Sequence, residues 1–419
     1  MTATVLQQIQ ELQFADKVRA ESLLLDFIRQ VVPLDVVAVE LRPLAVSLNS
    51  FNGYLTLRNS SRYFFKTHTE EDTVIREYYS SKLLTNAGYP LIQPVYSSTQ
   101  AGQQLLVYEI VDAPSMFDIA WQIEMGAQKL LPLVVQAQHD SDRQLFGMYL
   151  RTLQWQSAYE ANQAPIHQLF YHRITGGRLA RFYGTSPHAQ SELVTVELPG
   201  FSTTMRTIRQ VQWEINGQKY SQTLDDLIRN SESVLQPAQE GPAIIGHGDA
   251  HNGNLFFQAI NGKASLTYFD PAFAGQHHPL LDLAKPLFHN VFAMWMYFPE
   301  QKDAITKIEF DPSGDIWQVN HNYELHDVRK MFLDSKVEHV LEPLVKELKQ
   351  RDWLREDWRN YLKAALFCCP FLTMNLADRD KFPPKICLLG LAMAVEMGAE
   401  STGKRSEIDS LLDSISVEL

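Results

Sequence analysis

The alternation of apolar and polar positions changes rhythm twice along this chain. From Val5 to Val32, the residues Val5, Ile9, Leu12, Leu24, Phe27 and Ile28 fall at helical spacing and predict one amphipathic helix, which Pro33 stops. From Val36 to Lys66 the period shortens. VVAVELRP, LAVSLNS, YLTLRNS and RYFFKTH are short β-branched or aromatic runs parted by Asn, Ser, Gly and Pro, the signature of strands. Helical spacing returns in EEDTVIREYYSSKLLTNAG through Val74, Tyr78, Leu83 and Leu84, with Gly88 as its stop. PLIQPVYSST and QQLLVYEIV then add two strands around the turn at Gln100–Gly102.

Beyond Asp112 the character changes. SMFDIAWQIEM, LPLVVQAQHD and RQLFGMYLRTLQWQSAYEA all read as helices, and from about residue 280 onward the chain again reads as helices throughout. Between them RQVQWEINGQKYSQT carries a hairpin signal, because Asn216–Gly217 between alternating flanks suits a type I′ turn. That hairpin sits in a segment, about 186–240, that looks like an insertion. The expectation is an α+β, bilobal chain: residues 1–112 as a small lobe of antiparallel sheet with a leading helix, and 113–419 as a large, mostly helical lobe.

Composition narrows the function classes. A chain of 419 residues exceeds the size at which single cores stop growing, roughly 250–300 residues. The net charge of −12 argues against nucleic acid, which demands clustered Lys and Arg. It mildly favours a cationic small-molecule partner, although acidity of this order mostly serves solubility. Cys368, Cys369 and Cys387 offer neither metal spacing nor an even disulfide count. The apolar stretch AALFCCPFLTM is too short to span a bilayer, and MTATVLQQIQELQF lacks the basic and apolar regions of a signal peptide, so no membrane association and a cytoplasmic location are expected.

The stretch IIGHGDAHNGNLFF, residues 244–257, breaks the apolar pattern most sharply, with two histidines, an aspartate and two asparagines on a glycine-loosened loop. AII precedes it and NLFFQAI follows; Asn261–Gly262 then turns the chain into KASLTYFD. A hairpin from Leu255 to Phe269 would hold Asn254 and Asp270 side by side at one end, with Asp249 close to both. Oxygen donors without thiolate suit Mg²⁺, which shares its shell with phosphates. Phosphoryl transfer asks for such a metal, a carboxylate to receive the acceptor proton, and a cation on the phosphates. The five-residue step from Asp249 to Asn254 matches the catalytic-loop spacing H-x-D-x-x-x-x-N.

With HGDAHNGN followed by YFDPA and DLAKP, the chain resembles the aminoglycoside phosphotransferase-like enzymes, small-molecule relatives of the protein kinases. The resemblance implies a kinase-like fold and an ATP-dependent transferase requiring Mg²⁺, with Asp249 as catalytic base and Asn254 and Asp270 as metal ligands. It implies that His247 and Asp282 brace the loop. Kinase chemistry further requires a strand lysine paired with a helix glutamate, for which Lys66 and Glu77 are the candidates. Asn52 and Gly53, in SLNSFNGYL, are expected in a phosphate-covering turn between the first two strands, although one glycine stands where the protein-kinase loop has three. Backbone near Glu109 to Val111 is expected to meet the adenine.

Two other classes draw on the same residues. A divalent-metal hydrolase would use His247, Asp249 and His251 as H-x-D-x-H, and a non-catalytic nucleotide-binding relative would keep the fold without the chemistry. Arg173, Arg178 and Arg181, with aromatics around Gly176–Gly177, read as a helix face plus turn, or as a contributor to the acceptor pocket of the helical lobe.

Overall fold

The computed structural model describes residues 5–42, 50–68, 80–98, 100, 103–184 and 194–415. Two compact units divide the chain: Met1–Pro114 together with Thr267–Ala272, and Ser115–Leu266 together with Phe273–Leu419. The first carries an antiparallel sheet and the second is mostly helical, an α+β arrangement.

The leading helix is two helices, Val5–Ala15 and Lys17–Val31. Asp16 separates them: its backbone leaves helical angles, and its carboxylate accepts the Arg19 amide at 3.1 Å, capping the second helix. A periodicity count is blind to such a cap, because the apolar stripe continues on both sides. The sheet orders as β1 (Val36–Leu41), β2 (Ser50–Leu57), β3 (Arg62–His68), β5 (Leu105–Glu109) and β4 (Tyr96–Ser98), every pairing antiparallel. Leu24 and Ile28 of the second helix pack with Val36, Leu55, Phe65 and Val107 in one buried cluster. The run LAVSLNS, apart from Ser50, and most of the expected helix after β3, Glu77 included, lie outside the described residues.

The second unit contains a three-stranded sheet ordered β14 (Gly275–His277), β11 (Gly241–Gly246) and β6 (Gln154–Gln156), antiparallel throughout. Its core is helical. Pro279–His289 and Trp358–Thr373 pack together, as do Trp358–Thr373 and Pro384–Gly398. Almost every residue of these helices is buried, including Leu283, Leu287, Phe367, Leu388 and Leu391. Two separate hairpins are β7 (Thr195–Leu198) with β8 (Phe201–Thr204), and β12 (Leu255–Ile260) with β13 (Lys263–Tyr268). Asn261 and Gly262 turn the second hairpin with φ of 51° and 76°, as a type I′ turn demands.

Two expectations are corrected here. The chain after 280 is not wholly helical, since β15 (Ile308–Asp311) and β16 (Ile316–His321) form a hairpin there. The segment 186–240 is not an appended insertion among its described residues. Its strands β9 (Gln212–Ile215) and β10 (Gln218–Tyr220), turned at Asn216–Gly217, lie inside a five-stranded sheet ordered β15-β16-β9-β10-β17, where β17 is Thr402–Gly403. β16 pairs with β9 in parallel, a contact across about a hundred residues that no local pattern announces. Among the described residues, no helix is long and apolar enough to cross a membrane.

Candidate active site

The loop after β11 owes its shape to two glycines and one buried carboxylate. A side chain at Gly246 would meet the Asp282 carboxyl at 2.7 Å, and one at Gly248 would strike the Phe273 carbonyl oxygen at 2.4 Å. Gly248 also sits at φ +80°, in the left-handed region where glycine carries no steric penalty. Asp282, on the helix Pro279–His289, accepts the Gly248 amide at 2.6 Å, lies 3.0 Å from the His277 Nε2, and accepts the Tyr149 hydroxyl. Burial pushes its carboxyl up, but His277, Tyr149 and the Gly248 amide outweigh that and hold it below the usual range. The ionised Asp282 thus pins the residue preceding Asp249.

Asp249 itself is secured through its backbone. Its carbonyl oxygen accepts the His251 amide and the Asn254 side-chain NH₂, each at 2.9 Å. His251 Nδ1 accepts the Gly253 amide at 3.0 Å, closing a short 3₁₀ turn over Asn252–Asn254. The Asn290 side-chain oxygen accepts the Asn252 amide at 2.7 Å. The side chain of Asp249 is left for other work. Its Oδ1 is buried and takes part in no hydrogen bond, while the Lys285 ammonium stands 3.4 Å away and the His251 Nε2 3.8 Å away. Burial alone would raise this carboxyl; Lys285 first, then His251, His247 and Arg173, reverse the sign and hold it below the usual carboxylate range. A largely buried, ionised carboxylate of this kind has the chemistry to take a proton from a bound hydroxyl.

Lys285 escaped the sequence reading. It lies in the apolar run LLDLAKPLF and is buried, with 6% of its side chain exposed. Its neighbour one turn on, His289, meets the Lys285 Nζ at 3.1 Å through Nε2 and the Tyr297 hydroxyl at 2.8 Å through Nδ1. Burial, then Lys285, depresses the His289 imidazole well below its ordinary value, so it is neutral and able to accept from the ammonium. A Lys and a His at i, i+4 inside a mostly apolar helix was the available signal.

In the first unit, Lys66 of β3 reaches the carboxylate of Asp270 at 3.0 Å. β13 delivers Asp270 there: the Tyr268 amide donates to the Pro90 carbonyl at 2.8 Å, and its own carbonyl accepts the Ile92 amide at 3.0 Å. Asp270 follows at φ +54°, a conformation that Asp and Asn tolerate better than most residues. Glu77, expected as the partner of Lys66, lies outside the described residues. Asn52 and Gly53 are not in a turn. Both are inside β2, with Asn52 opposite Lys66 and Gly53 opposite Leu41 and Phe65. A Cβ on Gly53 would approach the Glu40 carbonyl oxygen to 2.0 Å, so close strand packing accounts for this glycine. Glu109 ends β5 and is exposed, and Val111 follows the strand.

Asn254 in the second unit and Asp270 in the first each carry a hard oxygen donor of the kind that suits magnesium. The Asn254 amide spends its nitrogen on the Asp249 carbonyl, which turns its oxygen away from that contact. The hydrolase alternative gains no geometry. Among the described residues no group of three or more His, Cys, Asp or Glu side chains is placed to hold a metal ion, and the His251 Nδ1 is already spent on Gly253.

No family model matches the chain, and no curated protein matches it. Among solved structures it is similar to small-molecule kinases. One is a spectinomycin phosphotransferase in complex with ADP and spectinomycin, at 13% identity and a TM-score of 0.39 over 90% of this chain and 98% of that one. Another is an amicoumacin kinase in complex with AMP-PNP and Ca²⁺, at 14% identity and a TM-score of 0.43 over 92% and 96%. A third is an ethanolamine kinase of Plasmodium vivax, at 11% identity and a TM-score of 0.42 over 97% and 91%.

Proposed function

We propose that this protein is a Mg²⁺-dependent phosphotransferase that moves the γ-phosphate of ATP onto a hydroxyl, or an amine, of a small molecule. The observation that carries the reading is Asp249: a largely buried carboxylate, held ionised by Lys285 at 3.4 Å from its Oδ1, an oxygen that takes part in no hydrogen bond. In the transfer, the acceptor oxygen forms a bond to the γ-phosphorus while the bond to the β–γ bridging oxygen breaks. ADP leaves with that electron pair, and Asp249 receives the acceptor's proton. Asn254 and Asp270 would hold Mg²⁺, which when bound neutralises charge developing on the phosphates. Lys66 grips the α/β-phosphates, and backbone near Glu109 and Val111 receives the adenine. The role first expected of Asn52 and Gly53, cover for the phosphates, is not retained, because both residues belong to the interior of a strand.

The test is acceptor-dependent formation of ADP across a panel of hydroxyl and amine metabolites, with thermal stabilisation by ATP measured with and without Mg²⁺. Stabilisation that needs the metal, and turnover that needs an acceptor, are the expected results. A protein that neither binds Mg–ATP nor turns it over with any panel member would end this reading.

A further inference from the structure

In the second unit, the five-stranded sheet and the helices Pro384–Gly398 and Glu407–Ser414 together line a cavity of about 710 Å³, a volume typical of small-molecule sites. Phe292, Met393, Met397 and Ile408, all buried, supply its apolar lining. Asn216 and Gln218 of the β9–β10 hairpin and Asn320 near the end of β16 add amide groups. None of the residues given a part in phosphotransfer lines this cavity.

One member of the lining is out of place in so apolar a setting. Glu396 is 9% exposed, on a helix buried at every position from Ile386 to Gly398. Among the described residues its carboxyl has neither a hydrogen bond nor an ion pair, and the groups around it are spent elsewhere. The Lys363 ammonium serves Asp409 and the backbone carbonyl of Glu396, the latter at 3.5 Å. Arg405 pairs with Asp413 at 2.7 Å and Glu400 at 3.2 Å, and Lys404 donates to the Asn216 carbonyl at 3.1 Å. The Tyr220 hydroxyl donates to the Gln218 side chain at 2.7 Å, and burial keeps that phenol protonated. His321 is held neutral by burial, which brings it down to about 4; Glu324 and Lys330, exposed, put one charge of each sign at the rim. Burial pushes the Glu396 carboxyl up, Lys363 and Lys404 pull it down, Asp409 and Glu407 raise it further, and it settles at about 8. A carboxyl withdrawn from water without a partner is unfavourable, and a ligand in the cavity can supply the partner that the fold does not.

We propose that this cavity binds a small organic cation, with an ammonium group against the Glu396 carboxylate and an apolar portion on Phe292, Met393, Met397 and Ile408. The site goes beyond the phosphotransfer reading and shares no residue with it. An anionic ligand would set its charge against Glu396 and Glu407. A neutral ligand could accept a hydrogen bond from the protonated carboxyl but would gain nothing from the charge of Glu407. A cation gains from both, and on entering it releases the Glu396 proton to the buffer, so binding and proton release are coupled.

Hexylammonium titrated into the full chain by calorimetry at about pH 7, in two buffers of different ionisation heat, tests this. Wild type is expected to bind it with release of close to one proton. Affinity is expected to rise about tenfold per pH unit between about pH 6 and 8, as the carboxyl gives up its proton while the amine stays charged. Hexanol and hexanoate, the same chain with a neutral or a negative head, are expected to bind at least tenfold more weakly. Glu396→Gln is expected to lose at least tenfold in hexylammonium affinity and all of the proton release, and Asp249→Asn to bind as wild type does. Absence of hexylammonium binding to wild type overturns the proposal, as does binding no tighter than that of hexanol or binding without proton release. A loss in Asp249→Asn with none in Glu396→Gln moves the cation to the loop site and likewise overturns it. If Glu396→Gln does not fold, the proton count and the order of the three ligands in wild type decide the question.

Discussion

The carboxylate of Asp282 holds the amide of Gly248 at 2.6 Å, one residue before the proposed base. Asp282→Ala would leave that amide, His277 and the Tyr149 hydroxyl without their shared acceptor inside the second unit. Loss of one partner from a buried charged network costs about 3–5 kcal/mol, so a drop of that order is expected in urea unfolding. The pH dependence follows from a depressed carboxyl. Its stabilisation is complete above the unfolded value near 3.8 and is lost as pH falls through the lower folded value, so wild type and variant should converge in strong acid. A gap that stayed constant down to pH 2 would contradict the assignment.

Asp249→Asn removes the proton acceptor while keeping the shape of the loop, whose hydrogen bonds at this residue run through the backbone. Turnover on any acceptor found should fall about 10²- to 10⁴-fold, the usual worth of a positioned base. ATP affinity, read by calorimetry, should change little, because the base acts in the transition state. Retention of wild-type turnover would remove Asp249 from the mechanism.

The Lys66–Asp270 pair separates binding from stability. Asp270 is nearly half exposed, and exposed ion pairs are worth roughly 0–1 kcal/mol, so Asp270→Asn should leave the melting temperature almost unchanged. Asn also tolerates the left-handed backbone at this position. Mg–ATP affinity should nevertheless fall at least tenfold, in keeping with the loss of a charged metal ligand. Equal affinities for Mg–ATP in wild type and variant would show that Asp270 is not one.

Glu396 makes a prediction of opposite sign. Burial raises its carboxyl to about 8; Lys363 pulls it down, and Asp409 and Glu407 add to the rise. The folded protein therefore holds this proton more tightly than the unfolded chain, and stability falls as pH climbs from about 4.5 to about 8, by at most ~1.4 kcal/mol per pH unit. Glu396→Gln, which copies the protonated form, should match wild type near pH 4 and exceed it at pH 9. Denaturant midpoints across that range for both proteins decide the matter, and parallel profiles would refute it.

Much of the candidate site could be read from the sequence because its residues fall within one short stretch of chain. His247, Asp249, Asn254 and Asp270 stand on one loop and the hairpin after it, and Asn261–Gly262 announces that hairpin by turn chemistry alone. Lys285 was not legible, since a lone lysine in an apolar helix usually extends its amine to water, whereas here the amine turns inward to Asp249. Gly53 misled because a glycine near a strand end fits a phosphate loop as readily as it fits close strand packing. β15 and β16 were missed for another reason. IWQVNH alternates correctly for a strand, but its parallel partner β9 lies about a hundred residues away, and partnership of that kind leaves no local trace.

The same five-stranded sheet governs how the chain reaches its final state. Its strands come from residues 212–220, 308–321 and 402–403, so it cannot close until the chain through Gly403 has left the ribosome. Until then β9 and β10 stand with both outer edges open, a template on which another nascent chain can add a strand. Yield on overexpression should therefore respond to slower synthesis or lower temperature more than to any substitution around Asp249.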